Sequence, residues 1–117
     1  MKNTLSLKDP KAFQKAINKG TWFGGNLIST YILSNSNGNT DVNFIGLAVG
    51  KKAGKATKRN RVKRVIRAVY SNLESQINTN GKIFLFVWRA KADFNDLSYD
   101  EIKRDIERAF KKAGILK

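Results

Sequence analysis

Residues 82–89, KIFLFVWR, restrict the fold more than any other stretch of the chain. Six consecutive apolar residues sit between a lysine and an arginine. A strand with no polar alternation has no face to give to water, so it belongs at the centre of a sheet with cover on both sides. The rest of the chain supplies amphipathic elements to cover it. Asp9 and Pro10 read as the N-cap and first turn of a helix in which Ala12, Phe13, Ala16 and Ile17 share one face, stopped by Gly20. Residues 26–33 are β-rich and apolar, and residues 34–41, rich in Asn, Ser and Gly, read as a hairpin connection to a returning strand at 42–49. In that strand Ile45, Leu47 and Val49 alternate with Phe44, Gly46 and Ala48, so one face carries bulk and the other leaves room.

A Gly- and Lys-rich loop over 50–57 leads to a helix expected at about 58–76. Val62, Val65, Ile66, Val69 and Leu73 keep the i, i+3, i+4, i+7, i+11 spacing of an apolar stripe. Asn60, Lys63, Arg64 and Arg67 fall on the opposite arc with Arg61 at its flank, so the basic side chains form a row directed away from the sheet. This helix makes the crossover to the 82–89 strand. Ser98 and Glu101 form a capping-box pattern for a last helix with Ile102, Ile106, Ala109, Phe110 and Ala113 on its core face. The expected order is αβ-β-αβ-α, an α+β or α/β two-layer sandwich. At 117 residues it is read as a single domain over 1–117, with 41% apolar content that excludes disorder of the whole.

Charge narrows the function. Residues 51–67 hold nine of the 23 Lys and Arg residues, and no Asp or Glu occurs between Asp41 and Glu74. With a formal charge of +14, a self-repelling field of this kind is expected to answer a polyanion, most commonly nucleic acid. The chain has no cysteine and no histidine, which removes thiolate chemistry, disulfides, and the commonest general base and zinc ligand. Residues 1–9 lack the apolar run of a secretory signal, and no segment is apolar for long enough to span a bilayer. A soluble cytoplasmic protein with no membrane partner is the expectation.

The string GLAVGKKAGKATKRNRVKRVIR (residues 46–67) resembles the bacterial ribonuclease P protein subunit, which carries a strand ending in Lys-Lys, a Gly-Lys-Ala step, then Arg-Asn-Arg and a basic helix in this spacing. DPKAFQKAINKGTWF (9–23) is similar to the N-terminal helix and following Gly of that family. FLFVWRAKADFNDLSYDEIKRDIERAFKKA (84–113) is similar to its last strand, Arg-containing turn and C-terminal helix. The resemblance implies the protein cofactor of a ribonucleoprotein endoribonuclease that removes the 5′ leader of precursor tRNA. In that family the chemistry belongs to the RNA subunit with Mg²⁺, so no catalytic residue is expected in the protein. The resemblance also implies a central, mostly antiparallel sheet with an unusual left-handed βαβ crossover, and a monomeric protein in a one-to-one complex with ribonuclease P RNA.

Carried over position by position, the resemblance assigns the RNA-subunit contact to Lys51, Lys52, Lys55, Arg59, Asn60, Arg61, Lys63, Arg64 and Arg67. It assigns the leader contact to Phe13, Ile17 and Tyr31, to which Lys52 and Arg89 are added as cations; packing in the core for Phe13, a cross-strand contact for Tyr31 and a cap at the end of a buried strand for Arg89 are the alternative readings. Guanidinium groups suit phosphate through paired donors, and aromatic rings stack on unpaired bases. Two positions depart from the family pattern: Ile17 stands where a second aromatic is usual, and Gly50 where Ser is frequent. Trp22, Trp88 and Phe110 are read as packing residues. Lys103, Arg104, Arg108, Lys111 and Lys112, interleaved with Asp105 and Glu107, are read as surface charge. Asp100 and Glu101 are explained by capping and the helix dipole. Two rival functions remain: a ribosomal-type RNA binder without leader preference, and a self-sufficient nuclease with carboxylate-bound metal.

Overall fold

The structure, a computed structural model, describes residues 4–7, 9–35, 43–50, 54–77, 83–90 and 99–116. Its elements are β1 (Thr4–Ser6), α1 (Pro10–Lys19), β2 (Thr21–Phe23), β3 (Ile28–Asn35), β4 (Asn43–Ala48), α2 (Ala56–Leu73) with a 3-10 turn at Glu74–Gln76, β5 (Ile83–Ala90) and α3 (Tyr99–Ala113). The strands form one sheet in the order β1-β4-β5-β3-β2. β5 is the central strand, as its composition requires, and Phe84 to Trp88 are all buried.

Each face of β5 meets a different layer. Phe84, Phe86 and Trp88 join Ile28, Ile32 and Ile45 in the larger core, which α2 closes with Val62, Ile66, Val69, Tyr70 and Leu73, and α3 with Ile102, Ile106 and Phe110. Rings of Phe84, Phe86 and Trp88 stack along the strand at 5.6 and 5.8 Å, and Tyr70 and Phe110 tilt against Phe86 at 5.7 and 5.0 Å. Such pairs contribute about 0.5–1.5 kcal/mol each beyond area burial. Leu85 and Val87 point the other way, to Ala16 of α1, with Phe13, Ile17, Tyr31, Leu33 and Phe44 packed around them. The expected α/β sandwich stands, with α1 adding a layer on the face opposite α2 and α3.

The pairing is mixed. β2–β3 and β3–β5 are antiparallel, whereas β1–β4 and β4–β5 are parallel. β3 and β4 run in opposite directions, as a returning strand must, but they are not the two arms of a hairpin. β5 lies between them, because the strand with two apolar faces takes the position with two neighbours and two covers. Two short strands, β1 and β2, go beyond the expected order; at three residues each they carry no readable alternation.

Two boundaries moved for physical reasons. The strand expected at 26–33 begins at Ile28, because the N–H groups of Asn26, Leu27 and Ile28 donate to the Asp105 carboxylate at 2.9, 2.8 and 3.1 Å. Asp105, expected on the surface, is therefore buried within the core face of α3. The helix expected at 58–76 begins at Ala56 and tightens to a 3-10 turn after Leu73. α1 starts as read, with Asp9 accepting from the Lys11 N–H at 3.0 Å and Pro10 in the first turn, and it stops at Gly20. Most of the expected connection at 34–41, and Ser98 of the expected capping box, lie outside the described residues.

Candidate nucleic-acid interface

The basic row is set by where α2 starts and which side it buries. Gly54, at φ +121°, turns the chain into the helix through a conformation that other residues adopt only under strain. Lys55 is the N-cap and supplies no side-chain hydrogen bond, and the first turn has no acidic residue. The positive end of the helix dipole thus adds to the cationic side chains, with no acidic side chain in the helix's own first turn to offset it. With Val62, Ile66, Val69 and Leu73 buried, Asn60, Arg61, Arg64 and Arg67 are exposed, as is Lys55. Arg59 and Lys63 are half-buried. The Nε of Arg59 is enclosed and has no hydrogen-bond partner among the described residues. Lys51 and Lys52 lie outside the described residues.

Lys63 and Arg67 turn out to serve a second surface. Together with Ser6, Leu7, Phe13, Ile45 and Leu47 they line a cleft of about 300 Å³. Its floor forms where β1 leaves β4: Ser6 pairs with Ile45, and the Leu7 N–H donates to the Ile45 carbonyl at 2.7 Å. The Phe13 ring rests on Gly46, where an added methyl group would fall 2.6 Å from the ring. The bare face read in the 42–49 strand is therefore the seat of this aromatic. Residues assigned separately to two RNA contacts meet here, with an aromatic wall from α1 and a cationic wall from α2.

The other residues assigned to the leader lie farther along the same sheet face as Phe13. Tyr31 is half-buried in β3, paired with Trp22 of β2 on one side and Val87 of β5 on the other. Ile17 packs with Phe13 and Tyr31 in the smaller core. Arg89 is exposed, opposite Ser29 and two residues beyond Val87 on the same face. Neither Tyr31 nor Arg89 lines the cleft that holds Lys63 and Arg67. Trp88 and Phe110 are fully buried as expected, but Trp22 is 59% exposed. A three-residue edge strand leaves one side of its indole without a neighbouring strand. A lone Trp after a helix stop gave no sequence signal of that exposure.

On α3 the inward turn of Asp105 changes the charge of the outer face. Arg104, Arg108, Lys111 and Lys112 gather there with Glu107 alone. Asp100 and Glu101 lie in the first turn, where the dipole favours them. Among the described residues, no three His, Cys, Asp or Glu side chains come together as a metal site. No described helix is long and apolar enough to cross a membrane.

Comparison with known proteins bears on the whole of this arrangement. The family model described as Ribonuclease P matches residues 1–114. The ribonuclease P protein component of Listeria monocytogenes is 33% identical over 118 residues, covering 100% of this chain and 94% of the relative. That of Clostridium kluyveri is 33% identical over 112 residues, covering 95% and 96%. Among solved structures, the Staphylococcus aureus RNase P protein superposes with a TM-score of 0.78 at 24% identity, covering 96% of this chain and 97% of that one. The Thermotoga maritima RNase P protein gives 0.74 at 20% identity, covering 92% and 96%, a likeness of fold.

Proposed function

The chain belongs to the ribonuclease P protein family, and on that premise we propose that it is the RNA-binding subunit of a ribonuclease P ribonucleoprotein that removes 5′ leaders from precursor tRNA. It acts as a single RNA-binding domain in the cytoplasm, one copy per RNA subunit. The phosphodiester cleavage belongs to the RNA and its Mg²⁺, and the protein contributes binding and orientation. Lys55, Arg59, Asn60, Arg61 and Arg64, with Lys51 and Lys52 from the preceding loop, hold the RNA subunit through phosphate and ribose contacts. Phe13, Ile17, Tyr31 and Arg89 hold the leader, whose unpaired bases stack on the rings.

The observation that carries this reading is the meeting of Phe13 with Lys63 and Arg67 in one cleft. A single-stranded leader needs an apolar surface for bases beside cations for phosphates, and a duplex-only binder needs no such aromatic wall. A leader bound in this cleft would lie next to the helix proposed to grip the RNA subunit, and in that way one small protein would tie substrate to catalyst. Binding of that kind favours precursor over mature tRNA, because only the precursor has a leader to fill the cleft.

The test compares affinities for precursor and mature tRNA, with a bacterial ribonuclease P RNA present. The wild-type protein is expected to favour the precursor, and Tyr31→Ala to lower that preference by roughly five- to tenfold, the worth of about one stacked base. Equal affinity for both tRNAs with wild-type protein would support a ribosomal-type binder instead. Circular dichroism of Tyr31→Ala separates lost stacking from a lost fold.

A further inference from the structure

One straight row of residues crosses the sheet from the cleft to its far edge. Gly46 of β4 pairs with Val87 of β5, Val87 with Tyr31 of β3, and Tyr31 with Trp22 of β2. At about 4.8 Å per strand, the three steps span roughly 14 Å. Phe13 sits over the first position of the row, Tyr31 is half-buried at the third, and Trp22 ends it 59% exposed. The line therefore begins in the basic cleft and ends on the largest exposed apolar side chain of the described residues.

Trp22 rests against its own strand. A methyl group at Gly24 would fall 2.8 Å from the indole, so the ring lies along the backbone at Gly24 and directs its other surface outward. With one face against the backbone, the ring offers the other to a flat partner that stacks on it. The neighbouring strands favour a nucleic acid over a protein as that partner. β2, β3 and β5 contain no acidic residue, and their one charged residue is Arg89, exposed on the same face near Tyr31. A diagonal cross-strand spacing of about 7–8 Å lets a guanidinium engage the phosphate beside a stacked base.

We propose that Trp22 is a distal base-stacking site that takes a single-stranded RNA base of the 5′ leader beyond those held by Phe13 and Tyr31, and that it makes this chain selective for long leaders. The proposal rests on the leader-binding reading above.

Two readouts test it. Trp22 and Trp88 are the only tryptophans, and Trp88 is fully buried, so quenching of emission by a single-stranded RNA oligonucleotide reports on Trp22. Quenching is expected, and its absence at saturating oligonucleotide would overturn the proposal. In the complex with a bacterial ribonuclease P RNA, affinities are compared for a precursor with a leader of about two nucleotides and one of about ten. Trp22→Ala is expected to weaken the long-leader precursor roughly tenfold and leave the short-leader one unchanged, with Trp22→Phe restoring most of the loss.

Equal loss at both leader lengths, or none at either, would overturn the distal site. So would loss of self-association as the sole effect of Trp22→Ala. If wild-type protein prefers precursor while Trp22→Ala keeps the full long-leader advantage, this inference alone falls. If wild-type protein ignores leaders altogether, the leader-binding reading falls and takes the distal site with it.

Discussion

Asp105 holds together two parts of the molecule that are distant in sequence. Its carboxylate accepts from three consecutive backbone N–H groups at Asn26, Leu27 and Ile28, so it ties the entry of β3 to α3. Removing it leaves the buried Ile28 N–H and the part-buried N–H groups of Asn26 and Leu27 without this partner, and Asp105→Ala is expected to destabilise the fold by about 2–3 kcal/mol, read as a shift in the urea midpoint. A change below about 0.5 kcal/mol would mean the turn satisfies itself with water. Tyr70 is the second such residue. Its hydroxyl pairs with Thr4 at 2.7 Å, and Thr4 in turn donates to Glu74, so β1 is pinned to the end of α2. Burial, with help from the Glu74 charge, pushes the Tyr70 hydroxyl up to about 12, against the opposing pull of hydrogen bonds with Thr4 and Asn43. An unfolded tyrosine ionises near 10, so the stabilisation tied to this proton is whole below about pH 10 and is lost as pH rises toward 12. The loss is about 2–3 kcal/mol over that window. Unfolding curves of wild type and Tyr70→Phe should converge there, and parallel curves would contradict the assignment.

At the level of elements, α2 has the most demanding role, because one helix must close the core and carry the cationic row. The 3.6-residue stripe made the division readable: Val62, Ile66, Val69 and Leu73 are buried, and Asn60, Arg61, Arg64 and Arg67 are exposed. What periodicity could not say is that Lys63 and Arg67 reach the cleft under Phe13, since that depends on how α1 sits on Gly46. Strand order was hidden for a similar reason. Local turn chemistry suggested pairing of β3 with β4, but the long-range demand of β5 for two neighbours overrode it. Asp105 and Trp22 were misread because each breaks the usual rule: a carboxylate in a core face and an indole in water. For α2 itself, Arg61→Ala with Arg64→Ala should flatten the salt dependence of RNA-subunit binding by roughly 1.4–1.8 in log–log slope, at about 0.7–0.9 per phosphate contact. An unchanged slope would remove this face from the RNA-subunit contact.

Across the whole molecule, the sheet separates two tasks. The face under α2 and α3 holds the aromatic core and gives rigidity. The opposite face, only partly covered by α1, leaves Phe13 and Tyr31 half-buried and Trp22 and Arg89 exposed, and it is the face proposed to take a strand of RNA. With a charge of +14 the chain repels itself, and an RNA partner turns that repulsion into attraction. A protein that binds and orients while RNA cleaves has a distinctive biochemical signature. The measurement that tests this most directly is 5′-leader cleavage of a precursor tRNA at low Mg²⁺, with a bacterial ribonuclease P RNA, in the presence and absence of this protein. Strong stimulation when both subunits are present, and no cleavage by the protein alone, is the predicted result. Tight RNA binding without stimulation, or cleavage by the protein alone, would contradict it.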